Sequence, residues 1–191
     1  IPSRLVGSEM CIRDSSYFGL YGMNENNIEQ VVSGINLGAN LGTDVFYSGT
    51  VGAAIAGINL KYAPVAISVC SFSPRDISFI ADKAFELIQK FRSISLQQNS
   101  LININFPDIL KQDYKGELYT KLAKRGAPEA PNIISKKDQL SFTFSASGDF
   151  IDGQTDTDMQ AIENGYVSVS ILNYDISSTN DFLGREISHG S

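Results

Sequence analysis

Residues 31–50 read VVSGINLGANLGTDVFYSGT, and this stretch decides the fold because three local patterns follow one another within it. A β-branched apolar run closes at Gly and Asn, a loop rich in Gly and Asn follows, and Ser-Gly-Thr opens a run of small apolar residues. This order predicts a buried strand, a tight loop and a helix. In open α/β sheets, ligands bind outside the carboxyl ends of the strands. We therefore expect the functional site in this loop.

The composition is that of a globular chain rather than a nucleic-acid or membrane protein. The 191 residues suffice for one domain with a core, and 42% apolar with 19% charged residues is ordinary for that class. A net charge of −6 argues against binding to a nucleic-acid backbone. No apolar run is long enough to span a bilayer. We therefore expect neither a nucleic-acid duplex nor a membrane as partner.

The low cysteine and histidine content limits which disulfide, metal-binding and catalytic arrangements are expected. Cys11 and Cys70 are too few for a disulfide framework, which indicates a reducing compartment and predicts a cytoplasmic protein. The single histidine, His189, lies near the C-terminus, where chains are commonly frayed. A His-based metal site or a Ser-His-Asp triad is therefore not expected.

The two ends of the chain differ from the rest. Residues 1–15 read IPSRLVGSEMCIRDS, without a helical or strand period, and resemble a translated cloning adapter, so we exclude them as a non-native segment. We expect the domain to occupy residues 16–176 and a polar tail to occupy residues 177–191.

The first half of the chain predicts alternating strands and helices. The predicted strands are residues 29–35, 64–69 and 101–106, and the predicted helices are residues 50–58 and 73–93. In the second helix, Ser73 is the expected N-cap with Pro74 at the first helical position, and the buried face includes Ile80 and Phe85. The β–loop–α–β–α–β order predicts an α/β fold with a mostly parallel sheet.

The second half predicts an antiparallel excursion that returns to the main body. Residues 116–122 and 139–146 alternate as strands, separated by a loop at residues 126–137. A short helix at residues 155–164 and a strand at residues 166–172 follow. The acidic start of that helix, Asp156 and Asp158, is interpreted as complementing the helix dipole, and Cys70 as a core residue.

Ser48, Gly49 and Thr50 open the helix after the loop and have two interpretations. Free N–H groups and the positive end of the helix dipole would bind a phosphate there. Alternatively, Ser48 only caps the helix, which is worth about 1 kcal/mol. The spacing is not that of a P-loop, since the GxxxxGK[ST] pattern and its lysine are absent.

Three polar side chains of the loop are candidates for the chemistry itself. The amides of Asn36 and Asn40 would ligate a hard cation or hold a phosphoryl oxygen, although Asn is also common in loops for conformational reasons. Asp44 is the only carboxylate between Glu29 and Asp76, and it is the candidate catalytic group. Because Mg²⁺ and Mn²⁺ sites normally use more carboxylates, these residues are too few for a complete metal site.

Together these motifs closely resemble the SurE family of survival proteins, over residues 28–172 and in the family's order. The matching blocks are SGINLGAN, YSGT, APVAIS, LININFP and GYVSVS. The resemblance implies a Rossmann-like, mostly parallel sheet flanked by helices, with a protruding β-hairpin in the C-terminal half. It also implies a divalent-metal-dependent phosphatase that hydrolyses nucleoside 5′- or 3′-monophosphates, in some members also short polyphosphate, and a homodimer or tetramer.

The resemblance assigns roles to residues of the loop. The family's metal, Mg²⁺ or Mn²⁺, is held by two adjacent aspartates, a serine and the asparagine of SGIN, which is Asn36 here. Asn40, Ser48, Gly49 and Thr50 correspond to the phosphate pocket. The implied mechanism is attack on phosphorus by a metal-activated water.

One departure from the family is serious. The family's first strand ends in Asn-Asp-Asp-Gly, and no Asp-Asp pair occurs anywhere in these 191 residues. We therefore expect an incomplete member with weak metal binding, negligible activity and an exposed apolar sheet edge. The alternative is a non-catalytic nucleotide- or phosphate-binding module. A dinucleotide-binding domain is disfavoured, since no G-x-G-x-x-G follows the first strand.

Overall fold

A computed structural model describes residues 12–23, 27–94, 96, 99–127, 130, 132–136, 139–143, 148–151 and 153–174. The predicted polar tail at residues 177–191 lies outside the described residues, as does most of the segment at residues 1–15. Residues 12–15 of that segment open a short helix, α1 (Ile12–Tyr17). The predicted domain boundaries stay predictions.

Five strands form the main sheet, and three further helices accompany them. The sheet strands are β1 (Val32–Leu37), β2 (Val65–Val69), β3 (Ser100–Phe106), β4 (Glu117–Thr120) and β7 (Val167–Asn173). A separate two-stranded sheet contains β5 (Asn132–Lys136) and β6 (Gln139–Thr143). The helices are α2 (Gly49–Ile55), α3 (Ile77–Arg92) and α4 (Asp158–Glu163). The sheet order is β1-β2-β3-β7-β4. Only the β3–β7 pairing in it is antiparallel, so the predicted α/β fold with a mostly parallel sheet is confirmed.

The two faces of the sheet pack against different helices because successive strand residues point to opposite sides. One face is apolar along its length and contacts α3 through Ile80, Leu87 and Phe91. The other face contributes Ala66 and Leu101 to a smaller cluster beneath α2. The carboxyl half of this second face is polar, and that half carries the candidate site.

Helix α3 begins later than the sequence predicts. Its N-cap is Asp76, whose Oδ1 accepts the Phe79 N–H at 3.1 Å, so Ser73 as N-cap is wrong. The residues before Asp76 are held in a turn instead, because the Arg75 N–H donates to Asp108 Oδ1 at 2.9 Å. That contact crosses from the end of β2 to the end of β3, and local capping rules do not include it.

The buried face of α3 also differs from the predicted one. Phe85 is 63% exposed, whereas Leu87 is buried with Ile80, Ala84 and Phe91. These buried positions follow one another at four, three and four residues, which keeps them on a single stripe of the helix. Phe85 lies about 100° around the helix from Ala84 and therefore faces solvent.

The hairpin is built from other segments than predicted. Residues 132–136, which the sequence assigns to a loop, form β5 and pair with β6, so that part of the loop assignment is wrong. Strand β4 instead joins the main sheet beside β7. The Thr120 hydroxyl on β4 lies 2.9 Å from the Ser168 hydroxyl and 2.8 Å from the Ser170 hydroxyl on β7. These hydrogen bonds link the two strands through their side chains.

Strand β1 is an edge of the main sheet among the described residues. Two of its large apolar side chains, Val32 and Leu37, are more than two-fifths exposed. The predicted exposed apolar edge is therefore present in the described structure. No helix in the described part of the chain is long and apolar enough to cross a membrane.

Candidate phosphate-binding site

The candidate site is the loop that joins β1 to α2 at the carboxyl end of the sheet. After β1 the Gly38 N–H donates to the Val69 carbonyl at 2.9 Å, which ties the loop to the end of β2. A 3₁₀ turn (Gly42–Tyr47) then leads into α2. At Gly42 the φ of +56° and the carbonyl of Ala123, only 2.6 Å from where a Cβ would lie, both require glycine.

Ser48 is the N-cap of α2, as the capping interpretation predicts. Its Oγ accepts the Val51 N–H at 3.1 Å, and its carbonyl accepts the Gly52 N–H at 3.0 Å. A helix start leaves its first amides without partners inside the helix, and in α2 these belong to Gly49 and Thr50. Capping by Ser48 therefore still leaves two amides at this helix start for an anion, and the phosphate interpretation stays a prediction.

Asn40 is buried and is held by three strand residues beneath the loop. Its N–H donates to Asn105 Oδ1 at 2.9 Å, and its carbonyl accepts from Asn103 Nδ2 and Asn105 Nδ2 at 2.9 Å and 3.0 Å. Its own Nδ2 donates to Ser68 Oγ at 2.6 Å. These bonds fix the loop backbone above β2 and β3. The amide nitrogen of Asn40 is thus already engaged within the protein.

A buried polar layer lies under this loop, and none of the sequence patterns above predicts it. Its members are fully or almost fully buried strand residues: Ser68, Asn103, Asn105, Ser168 and Ser170. Buried polar groups are costly unless they are paired. The alternation of Asn and Ser with aliphatic residues in LININF and VSVSI is the signal that would have found this layer.

Asn36 lies at the end of β1, directly opposite Ser68 in the register with β2. Its Nδ2 donates to the Gly38 carbonyl at 2.8 Å, and its role as a metal ligand stays a prediction. Because Asn40 also contacts Ser68, the structure brings Asn36 and Asn40 together at the same point of the sheet edge.

Asp44 is engaged elsewhere. Its Oδ2 lies 2.8 Å from an Nη atom of Arg125, and the two side chains are only 26% and 21% exposed. The Arg125 guanidinium lies 3.9 Å from the centroid of the Phe150 ring and donates to the Gly148 carbonyl. The carboxylate of Asp44 therefore anchors the loop to the segment after β4. Its predicted catalytic role stays a prediction.

Asp158 anchors the same loop from another side. The acidic start of α4 complements its helix as predicted, with Thr157 as N-cap and Asp158 Oδ1 accepting the Met159 N–H at 2.8 Å. Asp158 is also fully buried and accepts the N–H groups of Gly42 and Ala123 at 2.7 Å and 2.9 Å. Burial raises the pKa of this carboxyl, and the hydrogen bonds oppose that shift.

The donor set does not fit a complete metal site. No group of three His, Cys, Asp or Glu residues able to hold a metal occurs in the described part of the chain. Asn36 offers one oxygen, while Asp44 is paired with Arg125. Burial raises the pKa of the Cys70 thiol to about 12, so it is not a thiolate ligand near neutral pH. The described residues therefore do not supply a complete set of ligands for metal-assisted chemistry.

Comparison with known proteins identifies the relatives of this fold and loop. The family described as Survival protein SurE matches residues 13–129. The chain belongs to the SurE family. The 5′-nucleotidase SurE of Pseudomonas savastanoi pv. phaseolicola is 36% identical over 163 residues, which cover 85% of this chain and 66% of that protein. The 5′-nucleotidase SurE of Stutzerimonas stutzeri is 34% identical over 97% of this chain and 75% of its own length.

A solved structure supports the same assignment. The SurE protein from Aquifex aeolicus superimposes with a TM-score of 0.71 at 28% identity, covering 87% of this chain and 68% of that one. The predicted family and its Rossmann-like α/β fold are thereby confirmed, as is its relation to phosphoric monoester hydrolases. The chain spans about two thirds to three quarters of the length of these curated relatives.

Proposed function

We propose that the parent protein of this SurE family chain acts on nucleoside monophosphates as a phosphomonoesterase, and that residues 36–50 bind the phosphate. The observation that carries this proposal is the loop between β1 and α2, which Asn105 and Asp158 hold from beneath. Two relatives that match most of this chain are named 5′-nucleotidases, which supports nucleoside monophosphates as the substrate class.

The phosphate would lie at the start of α2. The amides of Gly49 and Thr50 and the positive end of the helix favour an anion there. Asn36, at the end of the edge strand β1, contributes a side-chain amide. Because the loop is already anchored, its amides need little rearrangement to receive a phosphoryl group.

The family's dependence on Mg²⁺ or Mn²⁺ is proposed for this protein on the family alone. A divalent cation would supply an activated water for attack on phosphorus. Of the residues described here, only the Asn36 oxygen is placed to contribute to such a site. We therefore propose that the 191-residue chain by itself has negligible hydrolase activity.

A second candidate function is a nucleotide- or phosphate-binding module without catalysis. The observation that favours it is the incomplete donor set of the described residues. Activity on short polyphosphate, a homodimer or tetramer as the assembly of the full-length protein, and a cytoplasmic location stay predictions.

The experiment is a paired measurement on the 191-residue chain. Phosphate release from AMP is followed with Mn²⁺ present, and binding of AMP is measured in the same buffer with a chelator. We expect binding without turnover. Turnover at the rate of a full-length SurE relative would contradict the proposed inactivity, and absence of AMP binding would contradict the phosphate site. Gly49→Pro, which removes one amide donor at the helix start, should weaken binding. Gly52→Ala, one turn further along α2 where an added Cβ meets no atom within 4 Å, keeps every amide and is the control.

A further inference from the structure

Phe72 is an exposed aromatic side chain at the edge of the proposed phosphate site. It follows β2 in the chain, and its side chain is 87% exposed. Gly38 follows β1, and β1 and β2 are parallel neighbours, so their carboxyl ends meet at one edge of the sheet. Phe72 and the loop are thereby brought side by side.

Phe72 approaches the loop at Gly38. A Cβ at this position would lie 3.3 Å from Cε1 of the Phe72 ring and 3.6 Å from Nδ2 of Asn36. The ring edge and the Asn36 amide therefore flank the same glycine. A φ of +132° keeps this position in a conformation that glycine adopts readily, so no side chain separates the two.

We propose that Phe72 stacks on the base of the nucleoside monophosphate whose phosphate binds to the loop. This inference rests on the proposed function. A large exposed aromatic face beside a polar site is the arrangement that base stacking uses, because every nucleobase has an apolar π-face. The Asn36 amide and the Phe72 ring flank Gly38 within the proposed phosphate loop, which gives one ligand a polar and an apolar group to contact.

The test compares AMP with ribose 5-phosphate, which carries the phosphate but no base. Both are titrated into the 191-residue chain, and binding is followed by saturation-transfer NMR. We expect AMP to bind more tightly than ribose 5-phosphate. Phe72→Ala should weaken AMP binding by at least about fivefold and leave ribose 5-phosphate binding unchanged, and Phe72→Tyr should restore AMP binding. Phe85→Ala is the matched control, since Phe85 is an exposed phenylalanine on α3.

Three results would overturn the proposal. AMP binding unchanged in Phe72→Ala would exclude stacking on this ring. Loss of AMP binding in Tyr47→Ala but not in Phe72→Ala would assign the base to Tyr47, another exposed aromatic residue of the loop. A change of sedimentation in Phe72→Ala without a change in AMP binding would make the ring a contact between two copies. Ribose 5-phosphate binding that persists in these cases leaves the proposed function standing, whereas failure of both ligands to bind the unmodified chain defeats both proposals.

Discussion

The Asn105 side chain binds both backbone polar groups of Asn40. Its Oδ1 accepts the Asn40 N–H at 2.9 Å, and its Nδ2 donates to the Asn40 carbonyl at 3.0 Å. The two residues are 65 positions apart, one in the middle of the sheet and the other in the loop above it. Because Asn105 is fully buried, these bonds are shielded from water, and their loss would leave the Asn40 N–H without a partner. The predicted phosphate loop is thus anchored to the core of the sheet.

Asn105→Ala should therefore destabilise the protein and disorder the loop. The variant leaves the buried Asn40 N–H unpaired, which costs about 1–3 kcal/mol, whereas the Asn40 carbonyl keeps its hydrogen bond from Asn103. Urea denaturation should show a lower free energy of unfolding, and the affinity for AMP should fall with it. Asn59→Ala, at an exposed position, is the control and should unfold like the unchanged chain. An Asn105→Ala protein of unchanged stability would show that the loop does not depend on this contact.

Asp158 gives a prediction about pH. Its carboxyl binds a proton more tightly in the folded than in the unfolded state, because burial raises its pKa above the usual 3.8. The stability that this group contributes is therefore complete below about pH 4 and falls as the pH rises through the raised pKa. Asp158→Asn removes this titration. The difference in unfolding free energy between the two proteins should shrink from acidic to neutral pH.

The control for that measurement is two residues away. Asp156 is exposed, and Asp156→Asn is the same substitution outside the buried loop anchor, measured in parallel. If the Asp158→Asn difference grows with pH instead, then hydrogen bonds from Gly42 and Ala123 outweigh burial at this carboxyl.

The ion pair between Asp44 and Arg125 allows a test of whether Asp44 anchors the loop or has a catalytic role. Asp44→Asn keeps the shape of the side chain but leaves the largely buried Arg125 without its carboxylate, and hydrogen bonds to charged groups contribute about 1.5–3 kcal/mol. We expect a loss of stability in Asp44→Asn and in Arg125→Met, with non-additive effects in the double variant. Additive effects, or full stability of Asp44→Asn, would return Asp44 to the set of candidate catalytic groups.

Cys70 should be chemically inert in the folded protein. With a thiol pKa of about 12, almost no thiolate is present near neutral pH, and the thiolate is the reactive form. Iodoacetamide should leave Cys70 unmodified in buffer and modify it fully in urea, as followed by mass spectrometry of the Cys70 peptide. Rapid modification in buffer would show that the end of β2 opens readily.

Local patterns predicted much of this molecule correctly. The strand, loop and helix of residues 31–50 were placed from apolar runs, Gly and Asn content and small residues alone, and Ser48 is the cap that its position predicts. These features depend on neighbouring residues, since helix caps and turns are set by contacts within a few positions. The order of the motifs in the sequence also identified the family.

The errors at the start of α3 and in the hairpin share one physical cause, which is contact between distant parts of the chain. Asp76 caps α3 instead of Ser73 because Arg75 is bound by Asp108 on another strand end. Residues 132–136 form a strand because β6 offers a partner, while β4 finds its partner in β7. Propensity within a segment does not show which partner it will meet.

The sequence by itself determined the family, the α/β class and the position of the candidate phosphate loop, because periodicity and short motifs are properties of adjacent residues. Only the tertiary structure decided that Asn105 and Asp158 hold this loop, that Asp44 is paired with Arg125 and that Phe72 lies beside Gly38. Those relationships arise when parallel strands end at one edge of a sheet and bring together residues tens of positions apart.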